Sequence, residues 1–161
     1  MAIDRILASI LTRADSGARL VVMAGAALMV VVVAAQVVMR YVFNGSFDWA
    51  DEVSRIAFVW TIFLAIPLGI RDGTHVGIEL LVSRLPVRLR RLVARLTSAL
   101  AAMMMAVVFW ISIGVASATW SERLGSIDVT SSVFFFPIIA GSLHAALHLA
   151  RLALSPQVTG P

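Results

Sequence analysis

The sequence predicts an all-α integral membrane protein: four transmembrane helices with an amphipathic basic segment on the cytoplasmic side. Three observations carry this. First, 60% of the 161 residues are hydrophobic and only 14% are charged, where an ordinary soluble domain carries roughly a quarter charged residues. Second, the apolar residues fall into four uncharged runs, at 20–39, 56–70, 96–121 and 129–150. Third, every basic side chain apart from the three histidines is arginine, and the arginines lie mainly between the runs.

A helix needs about 20 apolar residues to cross a bilayer core of about 30 Å. Three of the runs meet that length alone. The run 56–70 gives about 22 Å of helix at a rise of about 1.5 Å per residue, so its helix must begin near Trp49. The expected single membrane domain, residues 1–161, therefore has helices at about 20–39, 49–70, 96–121 and 129–150. The net charge of +4 raises nucleic acid and anionic lipid as partners. No soluble portion remains to hold a nucleic acid, so anionic membrane lipid is the expected partner of the arginines. Cysteine is absent, which removes disulfides, thiolate metal sites and thiol catalysis together.

Residues 1–19 are mildly amphipathic and carry Arg5, Arg13 and Arg19. No small-residue cleavage site follows the first apolar run, so the first helix is expected to be retained rather than removed as a signal peptide. Gln36 is its one strongly polar side chain, expected to reach headgroups or a neighbour. Asn44-Gly45-Ser46 is turn chemistry. Asp48 then has the character of an N-cap, with Asp51 three residues on as a variant capping box. Asp51 and Glu52 fall in the first turn of the second helix, where the dipole favours negative charge. Trp49, Glu52, Ile56, Trp60, Phe63 and Pro67 share one face, and Arg55 stands at i+3 from Glu52, within pairing reach. That face admits two readings: a contact surface for a protein partner, or an interfacial belt of the kind Trp and charged residues form in any membrane protein.

Residues 71–95 form the most basic loop, with six arginines against Asp72 and Glu79. Pro86 opens VRLRRLVARL, an amphipathic segment that feeds the third helix and is expected to bind headgroups. His75 has no second ligand at metal-binding spacing in its loop. Met103-Met104-Met105 cannot share one helix face, so they read as apolar filling rather than a metal box. Gly114 and Ala118 form a small-xxx-small pair that permits close helix contact. On the fourth helix Pro137, Gly141, His144 and His148 share a face, expected to meet a neighbouring helix because intramembrane histidines face protein. A bis-histidine haem needs a facing histidine on another span, and this chain has none. No cofactor, metal or catalytic residue is therefore expected. Ten arginines fall on the side of the termini and the 71–95 loop, and three on the other. The positive-inside rule then puts both termini in the cytoplasm.

The stretch 40–86 resembles a known family. RYVFN-x-S-x-x-WA-x-E-x-x-R, then FVWTIFLA, R-x-G-x-HV-x-I and LP are similar to the small membrane subunit, DctQ-like, of tripartite ATP-independent periplasmic (TRAP) transporters. The order and spacing hold over about 47 residues, and an FFFP-x-x-AG-x-L pattern in the fourth helix adds a weaker match. Ala65 stands where the family often has Gly, and Glu79 where Asp is common. The resemblance implies a non-catalytic small permease subunit of a sodium-coupled importer in the bacterial inner membrane. It would scaffold a large transport subunit, while a periplasmic binding protein delivers the substrate, often an organic acid. It also implies that Arg40, Asn44, Trp49, Glu52, Arg55, Trp60, Phe63, Arg71 and His75 form the partner interface. The competing class is a self-sufficient four-helix exporter. Such a protein uses a carboxylate buried in a span, and here each acidic residue is expected in a loop or a first turn. An enzyme is disfavoured because no nucleophile–base pair can be placed.

Overall fold

Turn chemistry, more than hydropathy, decides where the helices start and stop. The computed structural model describes residues 2–72 and 86–154. Among them the chain is all-helical apart from its connections, and four helices are long and apolar enough to cross a membrane.

Helix α1 (Ala2–Val42) is 41 residues long, about 60 Å at 1.5 Å per residue. The expected boundary at 20 is thus corrected. Residues 2–19 contain no proline and only one glycine, Gly17, so nothing separates the amphipathic tail from the apolar run. The helix ends where Asn44 turns left-handed, at φ 49°, a conformation Asn tolerates better than most residues. That turn lets the Gly45 N–H return to the Met39 carbonyl at 3.1 Å.

Helix α2 (Ala50–Arg71) begins after Trp49, not under an Asp48 cap. Trp49 occupies the cap position with helical angles and no side-chain cap bond. The backbone there is held by other means: Gln36 Oε1 accepts from the Phe47 N–H at 2.9 Å, and the Ala50 N–H donates to the Phe47 carbonyl at 3.1 Å. Gln36 therefore serves a neighbouring loop, and Asp48 and Asp51 stay exposed.

Helix α3 (Val87–Ala118) starts directly after Pro86, so the basic amphipathic segment forms its first turns and the expected start at 96 is too late. It stops at Ala118 rather than 121, where the next helical bond is replaced: Ser132 Oγ donates to the Ala116 carbonyl at 2.6 Å, while the Val115 carbonyl still accepts from the Thr119 N–H and also from Thr119 Oγ1, each at 3.0 Å. Ser132 is fully buried, and its bond closes a part of the chain where water is scarce. A 3-10 turn, Ser131–Phe134, follows with Thr130 as its cap. Helix α4 (Phe136–Leu154) comes next, later than the expected 129. Pro137 fits its first turn, where a backbone N–H has no helical acceptor.

The helices pack in a row, α1 on α2, α2 on α4 and α4 on α3, with only slight contact between α1 and α4. Small residues set two of the three seams. At Gly25 the Thr61 hydroxyl of α2 would lie 2.6 Å from an added Cβ, and at Gly141 the Phe63 carbonyl carbon would lie 2.9 Å away. Close backbone approach of this kind is how helices associate where lipid gives no hydrophobic drive. The flanking helices α1 and α3 expose Leu20, Val31, Leu100, Met103 and Trp110. Gly114 and Ala118 also face outward, and a Cβ at Gly114 would meet nothing within 4 Å. Their small-residue pair makes no helix contact within the described chain.

Candidate functional site

Polar groups gather at two opposite ends of the row. At one end, α1 finishes, α2 begins and the 119–130 loop joins α3 to α4. At the other, the start of α1 meets the ends of α2 and α4.

The first end is organised by Glu52. Its carboxylate accepts from three consecutive backbone amides: Gly125 N–H at 2.8 Å, Ser126 N–H at 3.1 Å to each oxygen, and Ile127 N–H at 3.0 Å. Successive amides turned to one side form an anion-binding concavity, and charged acceptors make the stronger hydrogen bonds. The expected Glu52–Arg55 pair does not form. Arg55 is exposed and no ion pair among the described residues joins it to Glu52, because the amides already occupy both carboxylate oxygens. The loop is braced on itself by a bridge between Arg123 and Thr130.

The face that carries Glu52 continues down α2 toward this chain's own elements. Trp60 Nε1–H donates to the Val133 carbonyl at 3.2 Å. The Phe63 backbone lies against Gly141, and Pro67 is buried. Trp49 is 42% exposed with its ring 5.4 Å from that of Phe47. Arg40 and Asn44 are exposed on the rim and help line a hollow of about 900 Å³ with Gln36, Phe47, Asp51 and Ser126. So Arg40, Asn44, Trp49 and Arg55 lie open at one end, while Glu52, Trp60 and Phe63 are engaged within the chain.

Arg71 belongs to the other end. It donates from Nη1 to Asp15 Oδ2 at 3.2 Å. Asp15 Oδ1 lies 2.9 Å from His144 Nε2 and 3.0 Å from His148 Nε2, and those two nitrogens are 3.2 Å apart. Asp15, His144 and His148 are 3%, 9% and 8% exposed. Pro137, Gly141, His144 and His148 are all buried, so this face of α4 does turn inward. The expectation that each acidic residue lies in a loop or a first turn fails at Asp15, which is buried well inside α1. Asp15 shares a buried stripe with Leu11 and Ala18. Carrying the helical period through the N-terminal tail is the signal that finds it. His75 lies outside the described residues.

Residues 29–157 match the profile described as "Tripartite ATP-independent periplasmic transporters, DctQ component". The chain is 30% identical over 131 residues to a protein of Haemophilus influenzae named as a TRAP transporter small permease protein, covering 78% of this chain and 79% of that one. It is 37% identical over 60 residues to a C4-dicarboxylate TRAP transporter small permease protein of Vibrio cholerae, 37% of this chain and 26% of that one. It is also 32% identical over 57 residues to a sialic acid TRAP transporter permease protein of Haemophilus influenzae, 35% of this chain but only 9% of that protein. The profile covers most of this sequence, and the first relative matches over most of both lengths. The chain therefore belongs to the DctQ component family of tripartite ATP-independent periplasmic transporters, a transporter component and not an enzyme.

Proposed function

We propose that this chain is the small permease subunit of a sodium-coupled TRAP importer, scaffolding a large transport subunit in the bacterial inner membrane for the uptake of an organic acid. The observation that carries this is how the polar side chains of the bundle are used. Glu52 holds a loop, Trp60 holds the 3-10 turn and Asp15 is tied to Arg71 and two histidines. The row of helices is open on its flanks, with α1 and α3 presenting apolar side chains along their length. A scaffold needs such faces, and large exposed apolar surface marks a lipid or partner contact. The sialic acid relative supports a large partner: the segment like this chain is 9% of that protein, so a far longer body of chain accompanies it. The names of the relatives, C4-dicarboxylate and sialic acid, support an acid as substrate.

In this reading Arg40, Asn44, Trp49 and Arg55 belong to the surface that meets the partner subunit, with Glu52, Trp60 and Phe63 shaping it from beneath. His75 is assigned to the same interface on the resemblance alone. The hollow beside Arg40 faces the periplasm and the incoming binding protein. The exposed arginines on the first turns of α3, Arg88, Arg91 and Arg95, face anionic headgroups of the cytoplasmic leaflet. Reporter fusions at Asn44 and Gly125 are expected to read periplasmic, and a fusion at Arg90 cytoplasmic. A cytoplasmic signal at Asn44 would contradict this orientation.

Buried Asp15 is the observation that favours a self-sufficient exporter. Its pairing with Arg71 and its place near the end of the row, rather than at mid-span, favour a structural part instead. Co-expression with the large subunit tests the scaffold reading. The two chains are expected to purify together at about equal amounts through affinity and size-exclusion steps. Separation of the two in mild detergent, with the small chain folded and monodisperse, would count against it.

A further inference from the structure

The geometry points to a divalent transition-metal site, with Zn2+ as its natural occupant, formed by Asp15 Oδ1, His144 Nε2 and His148 Nε2. The first support is that three atoms able to ligate a metal converge at one buried place. The three atoms form a near-equilateral triangle with edges of 2.9, 3.0 and 3.2 Å. Each imidazole Nε2 has one in-plane position, which holds either a proton or a lone pair. If both rings carry the proton on Nε2, both N–H groups donate to Asp15 Oδ1 and the 3.2 Å nitrogen–nitrogen edge is a non-bonded contact. If one ring does, the other presents a bare lone pair to the carboxylate oxygen at about 3 Å. If neither does, all three edges set lone pair against lone pair. The form with both Nε2 atoms unprotonated is the one that sets three lone pairs toward a single point. A single cation at the centre engages all three lone pairs together.

The second support is the donor set. Two imidazoles at i and i+4 on one helix with one carboxylate is a Zn2+ ligand set, and bonds of about 2.0–2.1 Å put tetrahedral ligand atoms about 3.3 Å apart. The observed edges need only a small outward movement to reach that. The imidazoles also select against a hard cation, since hard cations take oxygen ligands, so this is a different site from any that a coupling Na+ would occupy. The third support is the surrounding shell. Arg71 holds the other carboxylate oxygen, Oδ2, at 3.2 Å, which leaves Oδ1 free to point at the histidines. A partner that fixes a ligating carboxylate is the usual outer support of a metal site. At the exposed edge Asp72 lies 4.0 Å from both Arg19 and Arg71. The site would also supply what the packing lacks. It bridges α1 and α4, which otherwise touch only slightly, so the metal acts as a staple across the row, independent of the scaffold reading.

The test uses the full chain with a tag free of histidine, purified in detergent and stripped with a chelator. Zn2+ is expected to return to about one equivalent per chain and to raise the Tm. Co2+ is expected to give the visible ligand-field absorption of a tetrahedral site. His144→Ala and His148→Ala should each weaken Zn2+ binding by more than about 100-fold, and the Tm rise should vanish in both. Arg71→Gln should keep the stoichiometry with a weaker affinity, by about 10–100-fold for an outer-shell change. The wild-type measurement stands on its own even where a variant fails to fold. A stripped wild-type chain that is helical by circular dichroism, yet shows neither stoichiometric Zn2+ uptake nor a tetrahedral Co2+ spectrum, overturns the proposal. So does Zn2+ binding that a folded His144→Ala/His148→Ala double variant retains.

Discussion

Gly141→Ala is expected to destabilise the chain by about 1–3 kcal/mol, the usual cost of an overpacked position, and Gly141→Leu to abolish folded yield. The added Cβ would be driven into the Phe63 backbone of α2, with the carbonyl carbon at 2.9 Å and the carbonyl oxygen nearer still. A side chain can rotate away from such a contact, but a helix backbone cannot. Either α2 and α4 separate or the bundle tilts, and both movements pull Trp60 from the Val133 carbonyl. Thermal unfolding in detergent measures the effect. Gly114→Ala is the control, because nothing lies within 4 Å of its added Cβ. There Ala should be neutral or stabilising, by up to about 1 kcal/mol from helix propensity. Equal behaviour of the two variants would show that the α2–α4 seam is looser than the geometry says.

Glu52→Ala is expected to cost about 1–3 kcal/mol, the range for losing hydrogen bonds to a charged group. The cost stays within that range because Gly125 and Ser126 are exposed, so water can reach their amides once the carboxylate is gone. Glu52→Gln keeps one acceptor oxygen and should lose about half as much. Arg55→Ala should lie within about 0.5 kcal/mol of wild type, as exposed substitutions do, since Arg55 makes no ion pair with Glu52. Thermal unfolding gives the stabilities, and co-purification with the large subunit reads how far the loop matters for assembly. A larger loss for Arg55→Ala than for Glu52→Ala would contradict the amide cradle.

The number of spans and the residues that share a helix face were legible in the sequence, and the reason is periodicity. Uncharged runs of the right length announce membrane helices, and a 3.6-residue repeat put Glu52, Trp60 and Phe63 on one face and Gly141, His144 and His148 on another. What those faces meet was not legible. Glu52 binds backbone amides 73 to 75 residues away, and a backbone amide leaves no mark on residue identity. The nearby Arg55 was the obvious partner by spacing, yet spacing says nothing of what a distant loop brings in. The boundaries failed for a related reason. Hydropathy marks the membrane-spanning part of a helix, while α1 and α3 continue through amphipathic segments whose backbone has no cause to stop. Asp15 was hidden by the same error, since a residue assigned to a tail is not weighed as part of a helix face.

Solute uptake by reconstituted vesicles tests the central claim most directly. The small chain alone, the small chain with its large subunit, and that pair with the periplasmic binding protein and a candidate organic acid are compared under an inward sodium gradient and under a proton gradient. The scaffold account predicts uptake only for the complete set, driven by sodium, and none by the small chain alone under either gradient. Solute movement by vesicles that contain only the small chain, lost in Asp15→Asn, would contradict it and turn the reading to a self-sufficient transporter.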